Sequence, residues 1–274
     1  MRITRFIDGN GQLRAGMDRG DGTADLFEHA DAIGPEPPQP PAPTGRVANI
    51  AARRAPVAPV NIFCIGANYG GHIEETGAKV PERPVVFMKP TTALNHHARP
   101  IRLPACSPEP EVDYEVELAV VIGRAGRDIP KAQALDHVLG YTVANDVSAR
   151  WWQKHGGGGQ WVRGKGFDTF CPLGPVLVTA DELPDPQQLA LRTTLNGRVL
   201  QESSTADMLY SVAELIAFLS QDTTLLAGTV ILTGTPPGVG MARDPKVYFK
   251  PGDEVTVEIE SIGRLTNPVV APTE

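Results

Sequence analysis

Hydrophobic and polar positions alternate most regularly between Asp113 and Gly123. Tyr114, Val116, Leu118, Val120 and Ile122 take every second place, and a period of two with β-branched residues predicts a strand. Strand side chains repeat every second residue, so Asp113, Glu115 and Glu117 are predicted to share one face, with neighbours roughly 7 Å apart. Three adjacent carboxylates repel one another, and burying them unpaired is costly. A divalent cation removes that repulsion. A wet strand face carrying solvated acids gives the same pattern, since half-exposed antiparallel strands alternate in this way. The apolar continuation Ala119-Val120-Val121-Ile122 favours the interior.

The rest of the chain is rich in strand patterns and poor in helical ones. Residues 1–33 alternate weakly through Ile3, Phe6, Leu13, Ala15 and Met17, which predicts short strands joined by glycine turns. Residues 34–43 are proline-dense and predict an extended connector over the surface. A boundary is placed near 45–58, dividing a small N-terminal subdomain (1–45) from a main domain (58–274) that begins with the buried strand Val60-Asn61-Ile62-Phe63-Cys64-Ile65-Gly66. Further strands are predicted at 138–145, 174–178, 189–199 with an Asn196-Gly197 hairpin turn, 230–233 and 255–259, the last with Val255, Val257 and Ile259 facing inward. Two helices are predicted: one over 129–139, opening at Pro130 and stopping at Gly140, and one after a capping box at Ser211–Glu214. Frequent glycine and proline turns favour a mostly antiparallel, rolled or barrel-like sheet with peripheral helices.

Composition narrows the function classes. The chain has 274 residues, 41% hydrophobic and 21% charged, with a formal net charge of −7. There is no basic footprint for nucleic acid, no apolar run near the ~20 residues that span a bilayer, and no signal-peptide core at the start. Cys64, Cys106 and Cys171 form no C-x-x-C pair, which suits a reducing cytoplasm and excludes the usual thiolate zinc site. Cys171 reads as a buried structural thiol.

Several segments carry candidate chemistry. In Gly66-Ala67-Asn68-Tyr69-Gly70-Gly71-His72-Ile73-Glu74-Glu75, a helix opening at the paired glycines puts His72 and Glu75 on one side at i and i+3. A carboxylate beside an imidazole fixes its tautomer and raises its basicity, as deprotonation of water requires; an exposed surface pair is the alternative. Asp146 ends the 138–145 strand as a third oxygen ligand or as part of an Asx turn. Residues 159–165 match G-x-x-x-x-G-K, but Gly166 stands where Ser or Thr must follow. The nucleotide reading is rejected, leaving Lys165 as a point charge for a carboxylate or enolate. Leu232 to Gly240 closes a strand with a rigid turn that can present a hydroxyl and N–H groups to an anion. His96 and His97 read as solvent-exposed loop histidines.

Six blocks in one order resemble the fumarylacetoacetate hydrolase superfamily across roughly residues 60–271: Gly66 to Glu75, Phe87 to Pro90, Asp113 to Leu118, Asn145 to Arg150, Gly164 to Thr169 and Thr233 to Gly240. The resemblance implies an α+β, mostly β fold with a mixed β-roll, a homodimer, and one Mg²⁺ or Mn²⁺ per subunit. It implies Glu115, Glu117 and Asp146 as metal ligands, with Asp113 in support. It also implies His72 and Glu75 as the water-activating dyad and Lys165 as the lysine facing the reacting oxygens. Lys89, Arg150, Gln153 and Thr235 match positions around the substrate's acidic end. An all-oxygen ligand set independently suits a hard cation.

The function expected from this resemblance is hydrolysis of the C–C bond of a 2,4-dioxo acid, giving pyruvate and a carboxylic acid. Oxaloacetate tautomerisation or decarboxylation on the same site is the alternative. Ala67 stands where family decarboxylases often carry arginine, and Trp151 stands where an acid is common. The 230–239 and 245–249 segments resemble a branch that includes oxaloacetate tautomerases. The expected partner is a small keto acid, with neither nucleic acid nor membrane.

Overall fold

The computed structural model describes residues 1–29 and 42–272. The extended connector predicted for 34–43 lies outside the described residues except at Ala42 and Pro43. Val116–Ile122 is the central strand, and all of its residues are buried. It pairs antiparallel with Val138–Asn145 on one side and with Val230–Leu232 on the other. Outward from Val230–Leu232 come Ile62–Gly66, in parallel, and the edge strand Val85–Lys89. Outward from Val138–Asn145 come Cys171–Thr179 and then Arg2–Asp8. Leu13–Asp18, Thr23–Leu26 and Val47–Arg54 beyond Arg2–Asp8, and Leu94–Asn95 beside Cys171–Thr179, bring this mixed sheet to eleven strands among the described residues.

A second sheet of five strands runs Arg198–Ser204, Ala190–Leu195, Glu254–Ile259, Gly263–Val270 and Ile101–Arg102. Val255, Val257 and Ile259 face inward as their alternation predicts, sharing a core with Val116, Leu118, Val120 and Ile122. Ala119 and Val121 enter a separate core with Ile62, Cys64, Leu173 and Leu232. Apolar residues on both faces thus hold the central strand inside the roll. Peripheral helices at Gly70–Thr76 and Val212–Leu219 complete an α+β, mostly β fold.

Local signals were accurate where backbone chemistry decides. Asn196 and Gly197 both take positive φ, at 50° and 80°, the geometry that joins strands through a tight hairpin. Ser211 and Glu214 form the reciprocal capping box of the second helix. The helix predicted over 129–139 is instead a short 3₁₀ segment, Lys131–His137, and Gly140 lies inside the following strand. A Cβ on Gly140 would come within 2.2 Å of the Val178 carbonyl oxygen, so this glycine permits close strand approach rather than stopping a helix.

The N-terminal unit runs beyond residue 45 into the 45–58 boundary region, because Val47–Arg54 is a strand within it. Arg2–Asp8, Leu13–Asp18, Thr23–Leu26 and Val47–Arg54 pair in a closed cycle, a small barrel around Phe6, Ala24 and Leu26. The two histidines expected in an exposed loop are half-buried acceptors. Ala55 N–H donates to His96 Nδ1 at 3.1 Å, and Thr266 N–H donates to His97 Nδ1 at 3.2 Å. Burial, reinforced by nearby Arg54, holds His96 down at about 4. Cys171 is buried, and desolvation pushes its thiol up to about 12, in keeping with a structural role. Among the described residues, no helix is long and apolar enough to cross a membrane.

Candidate active site

The acidic cluster forms at one end of the central strand pair. Val112–Asp113 pairs with Ser148–Ala149, the chain leaves strand geometry at Tyr114 and Glu115, and the ladder resumes at Val116 opposite Asn145. Side chains satisfy the freed backbone: Asn145 Oδ1 accepts the Glu115 N–H at 3.0 Å, and Gln201 Oε1 accepts the Val116 N–H at 3.1 Å. Asp146 follows the partner strand, and its N–H donates to the Glu115 carbonyl at 2.9 Å. Ligand atoms of buried Glu115, Glu117 and Asp146 all lie within 4.8 Å of one another.

Asp113 does not share this face, because the break redirects it. Its carboxylate accepts from the N–H groups of Gly240 and Met241 at 2.8 and 3.0 Å, and from Arg150 Nε at 2.9 Å. Arg150 Nη2 in turn reaches Glu115 Oε1 at 2.7 Å. Asp113 therefore supports the cluster through the guanidinium.

Four buried carboxylates (Asp113, Glu115, Glu117 and Asp146) meet three buried cations, Lys89, Arg150 and Lys165. Lys165 Nζ bridges Glu115 Oε2 at 2.7 Å and Asp146 Oδ2 at 2.8 Å. Burial works to raise Glu115, but Lys165 and Arg150 overcome it and hold the carboxyl at about 2. Burial works to lower Lys165, and the Asp146 and Glu115 charges overcome it and raise the ammonium. Glu117 is the exception. It makes no ion pair among the described residues, and burial together with the charges of Asp146 and Glu115 drives it well up. Its Oε2 accepts the Gly234 N–H at 2.7 Å. Three clustered oxygen donors, one lacking a cation, fit a hard divalent metal ion.

A cavity of about 370 Å³ opens onto this cluster. Glu115, Glu117, Lys165 and Thr235 line it together with His72, Arg150 and Gln153. His72 Nδ1 lies 2.8 Å from Glu75 Oε1, while Glu75 Oε2 accepts the Gly238 N–H at 2.7 Å. The dyad is thus tied to the turn after Val230–Leu232. With Nδ1 engaged by a carboxylate, Nε2 of the neutral ring is left as the base.

Five of the predicted residues outside the triad (His72, Arg150, Gln153, Lys165 and Thr235) line the cavity and Glu75 holds His72 from behind, but Lys89 has no part in the lining. It is buried behind Asp146, paired with Oδ1 at 2.6 Å and donating to the carbonyls of Val147, Phe170 and Lys165. Its place is that of a buttress for Asp146, not of a substrate contact. Thr235 is also committed, donating to the Val116 carbonyl at 3.0 Å and accepting from Gln201 Nε2 at 2.8 Å. The sequence reading overlooked Trp161, Phe87, Lys154 and Met241 in the cavity wall. Trp161 packs edge-on to Phe87 at 5.4 Å and lies where a Cβ on Gly66 would come within 2.3 Å of its ring. Gly66 in the first motif was the available clue, since a glycine facing a cavity often admits a large neighbour.

A mixed β-roll whose cavity is lined by His72, Lys165, Glu115 and Glu117, with a buried acidic triad suited to a metal ion, is the architecture of an enzyme acting on a small molecule. Residues 61–270 match the family described as fumarylacetoacetate (FAA) hydrolase C-terminal, and the chain belongs to it. A Xenopus laevis protein named oxaloacetate tautomerase fahd2, mitochondrial, is 50% identical over 217 residues, covering 79% of this chain and 67% of that one. The Homo sapiens protein named oxaloacetate tautomerase FAHD2A, mitochondrial, is 49% identical over 217 residues, covering 79% of this chain and 68% of that one. Among solved structures, the 5-carboxymethyl-2-hydroxymuconate delta-isomerase from Mycobacterium smegmatis superposes with a TM-score of 0.84 at 41% identity, covering 99% of this chain and 100% of that one. The fumarylacetoacetate hydrolase from Exiguobacterium antarcticum gives 0.87 at 35% identity, covering 99% of both chains.

Proposed function

We propose that this chain interconverts the keto and enol forms of a small 2-oxo acid of the oxaloacetate type, using Mg²⁺ or Mn²⁺. The observation that carries the reading is His72, held by Glu75, lining the same cavity as Lys165, Glu115 and Glu117. The names of relatives about 50% identical support it over the hydrolase expected from sequence. Glu115, Glu117 and Asp146 would hold the metal ion, which supplies Lewis-acid stabilisation to the negative charge developing on the C2 oxygen. His72 Nε2 removes the C3 proton, with Glu75 holding the ring and sharing the charge it gains. Lys165 spends two N–H groups on Glu115 and Asp146, and its third is free to donate to the C2 oxygen. Return of the proton to C3 or to oxygen completes the exchange, with no net change in composition.

Hydrolysis of a 2,4-dioxo acid is the second reading, favoured by the same dyad because it is equally suited to deprotonating water. A substrate panel separates the two. Loss of enol absorbance from oxaloacetate, accelerated by protein plus Mn²⁺ and slowed at least 100-fold in His72→Asn, supports tautomerisation. Pyruvate release from acylpyruvates without any effect on oxaloacetate supports hydrolysis. CO₂ release from oxaloacetate identifies a decarboxylase, and an unchanged His72→Asn rate would overturn the dyad's role.

A further inference from the structure

The cavity wall contains four residues that carry or acquire positive charge: His72, Arg150, Lys154 and Lys165. Three of them have carboxylate partners. His72 faces Glu75, Arg150 holds Asp113 and Glu115, and Lys165 bridges Glu115 and Asp146. Lys154 makes no ion pair or hydrogen bond among the described residues, and it is exposed on the segment Trp152–Gly156. The acids whose charges act on it are shared with other cations, Asp113 with Arg150 and Glu111 with Lys246 at 4.0 Å. Partial burial lowers the Lys154 pKa, Arg150 and Lys246 add to the effect, and Glu111 and Asp113 oppose it, so the ammonium stands at the cavity with no acid of its own. Such a position attracts an anion from solution.

Its neighbour adds donors. Gln153 Oε1 accepts from Arg150 Nη1 at 2.9 Å, which fixes the amide and leaves Nε2 without an acceptor among the described residues. Gln153 Nε2 and Lys154 Nζ thus belong to consecutive residues on one wall, both with donors to spare. An ammonium beside a neutral amide suits a carboxylate. The acidic triad accounts for one end of a 2-oxo acid, so this second donor group calls for another carboxylate.

We propose that Lys154 binds the distal carboxylate of the substrate and makes the site select 2-oxo dicarboxylates over 2-oxo monocarboxylates. This rests on the proposed action on small oxyacids and names the feature of the substrate that the site reads. A charge-assisted hydrogen bond of this kind corresponds to roughly 10- to 100-fold in affinity.

The test uses the Mn²⁺-loaded protein and two unreactive hydroxy acids, malate and lactate, which differ by the distal carboxylate. Calorimetry should show wild type binding malate about 10- to 100-fold more tightly than lactate. Lys154→Met should bring that ratio close to one, chiefly by weakening malate, and Lys154→Arg should restore it. A parallel assay of oxaloacetate should show a raised KM in Lys154→Met with a much smaller change in kcat. A malate-to-lactate ratio equal in wild type and Lys154→Met overturns the proposal, even where oxaloacetate is turned over. A ratio that depends on Lys154 in a protein without tautomerase activity upholds it and removes the tautomerase reading instead.

Discussion

At the scale of single residues, the site sets four buried carboxyl groups against three buried cations. Glu117 lacks a cationic partner among the described residues, so it is the carboxylate with most to gain from a metal ion. Wild-type protein should therefore gain several degrees in Tm with excess Mn²⁺, because a ligand that binds the folded state stabilises it. Glu117→Gln should abolish that gain and lower turnover by at least about 100-fold. Lys89 is entirely buried against Asp146 and three carbonyl oxygens. Lys89→Met should cost about 3–5 kcal/mol, as removal of one partner of a buried ion pair does, readable as a lower urea midpoint. His96 is a different case, since its folded pKa of about 4 lies below its ordinary 6.5. The unfolded chain takes up the proton first as pH falls, so stability from neutral His96 is complete above pH 6.5 and fades toward pH 4. The Tm difference between wild type and His96→Gln should shrink across that window.

At the scale of elements, the short helix Gly70–Thr76 positions the base by docking on the turn after Val230–Leu232. A Cβ on Gly71 would meet Pro237 at 2.9 Å, and Glu75 clasps the Gly238 N–H. Gly71→Ala should push the helix off that turn and lower kcat by roughly 10-fold or more, with little loss of global stability. Measured Mn²⁺ affinity should stay near wild type, since Glu115, Glu117 and Asp146, the proposed ligands, lie on the central strand pair and its ends rather than on this helix. The helix Val212–Leu219 contributes no residue to the cavity lining and is held by its capping box. Ser211→Ala there should cost about 1 kcal/mol and leave activity intact.

At the scale of the whole molecule, two sheets enclose the strand that carries Glu117, and the N-terminal barrel attaches at the far edge of the larger sheet. Arg2 and Ile3 pair with Val178 and Leu177, so that barrel joins the main sheet through a short stretch of ladder. Hydrogen exchange should be slowest at Val116–Ile122 and Val138–Asn145, which are buried on both faces, and faster at Leu13–Asp18 and Thr23–Leu26. Equal protection of all four strands would show that the barrel and the roll open as one unit.

The sequence by itself determined what short-range chemistry controls. Alternation marked Val255, Val257 and Ile259 as inward, Asn196-Gly197 marked a hairpin, and Ser211 with Glu214 marked a helix start. The i, i+3 spacing brought His72 to Glu75, and the ordered motifs identified the family. Only tertiary structure decided which carboxylates meet. Period-two spacing placed Asp113 beside Glu115 and Glu117, but two residues of broken ladder turned it toward Arg150 and Gly240. Asp146 joins instead because its strand pairs antiparallel with the central one, a register fixed by partners far away in sequence. Lys89 and Lys154 look alike as lysines near motifs, yet one is sealed behind Asp146 and the other stands at the cavity without an acid. Burial and pairing are properties of the surroundings, and those surroundings exist only once distant strands have come together.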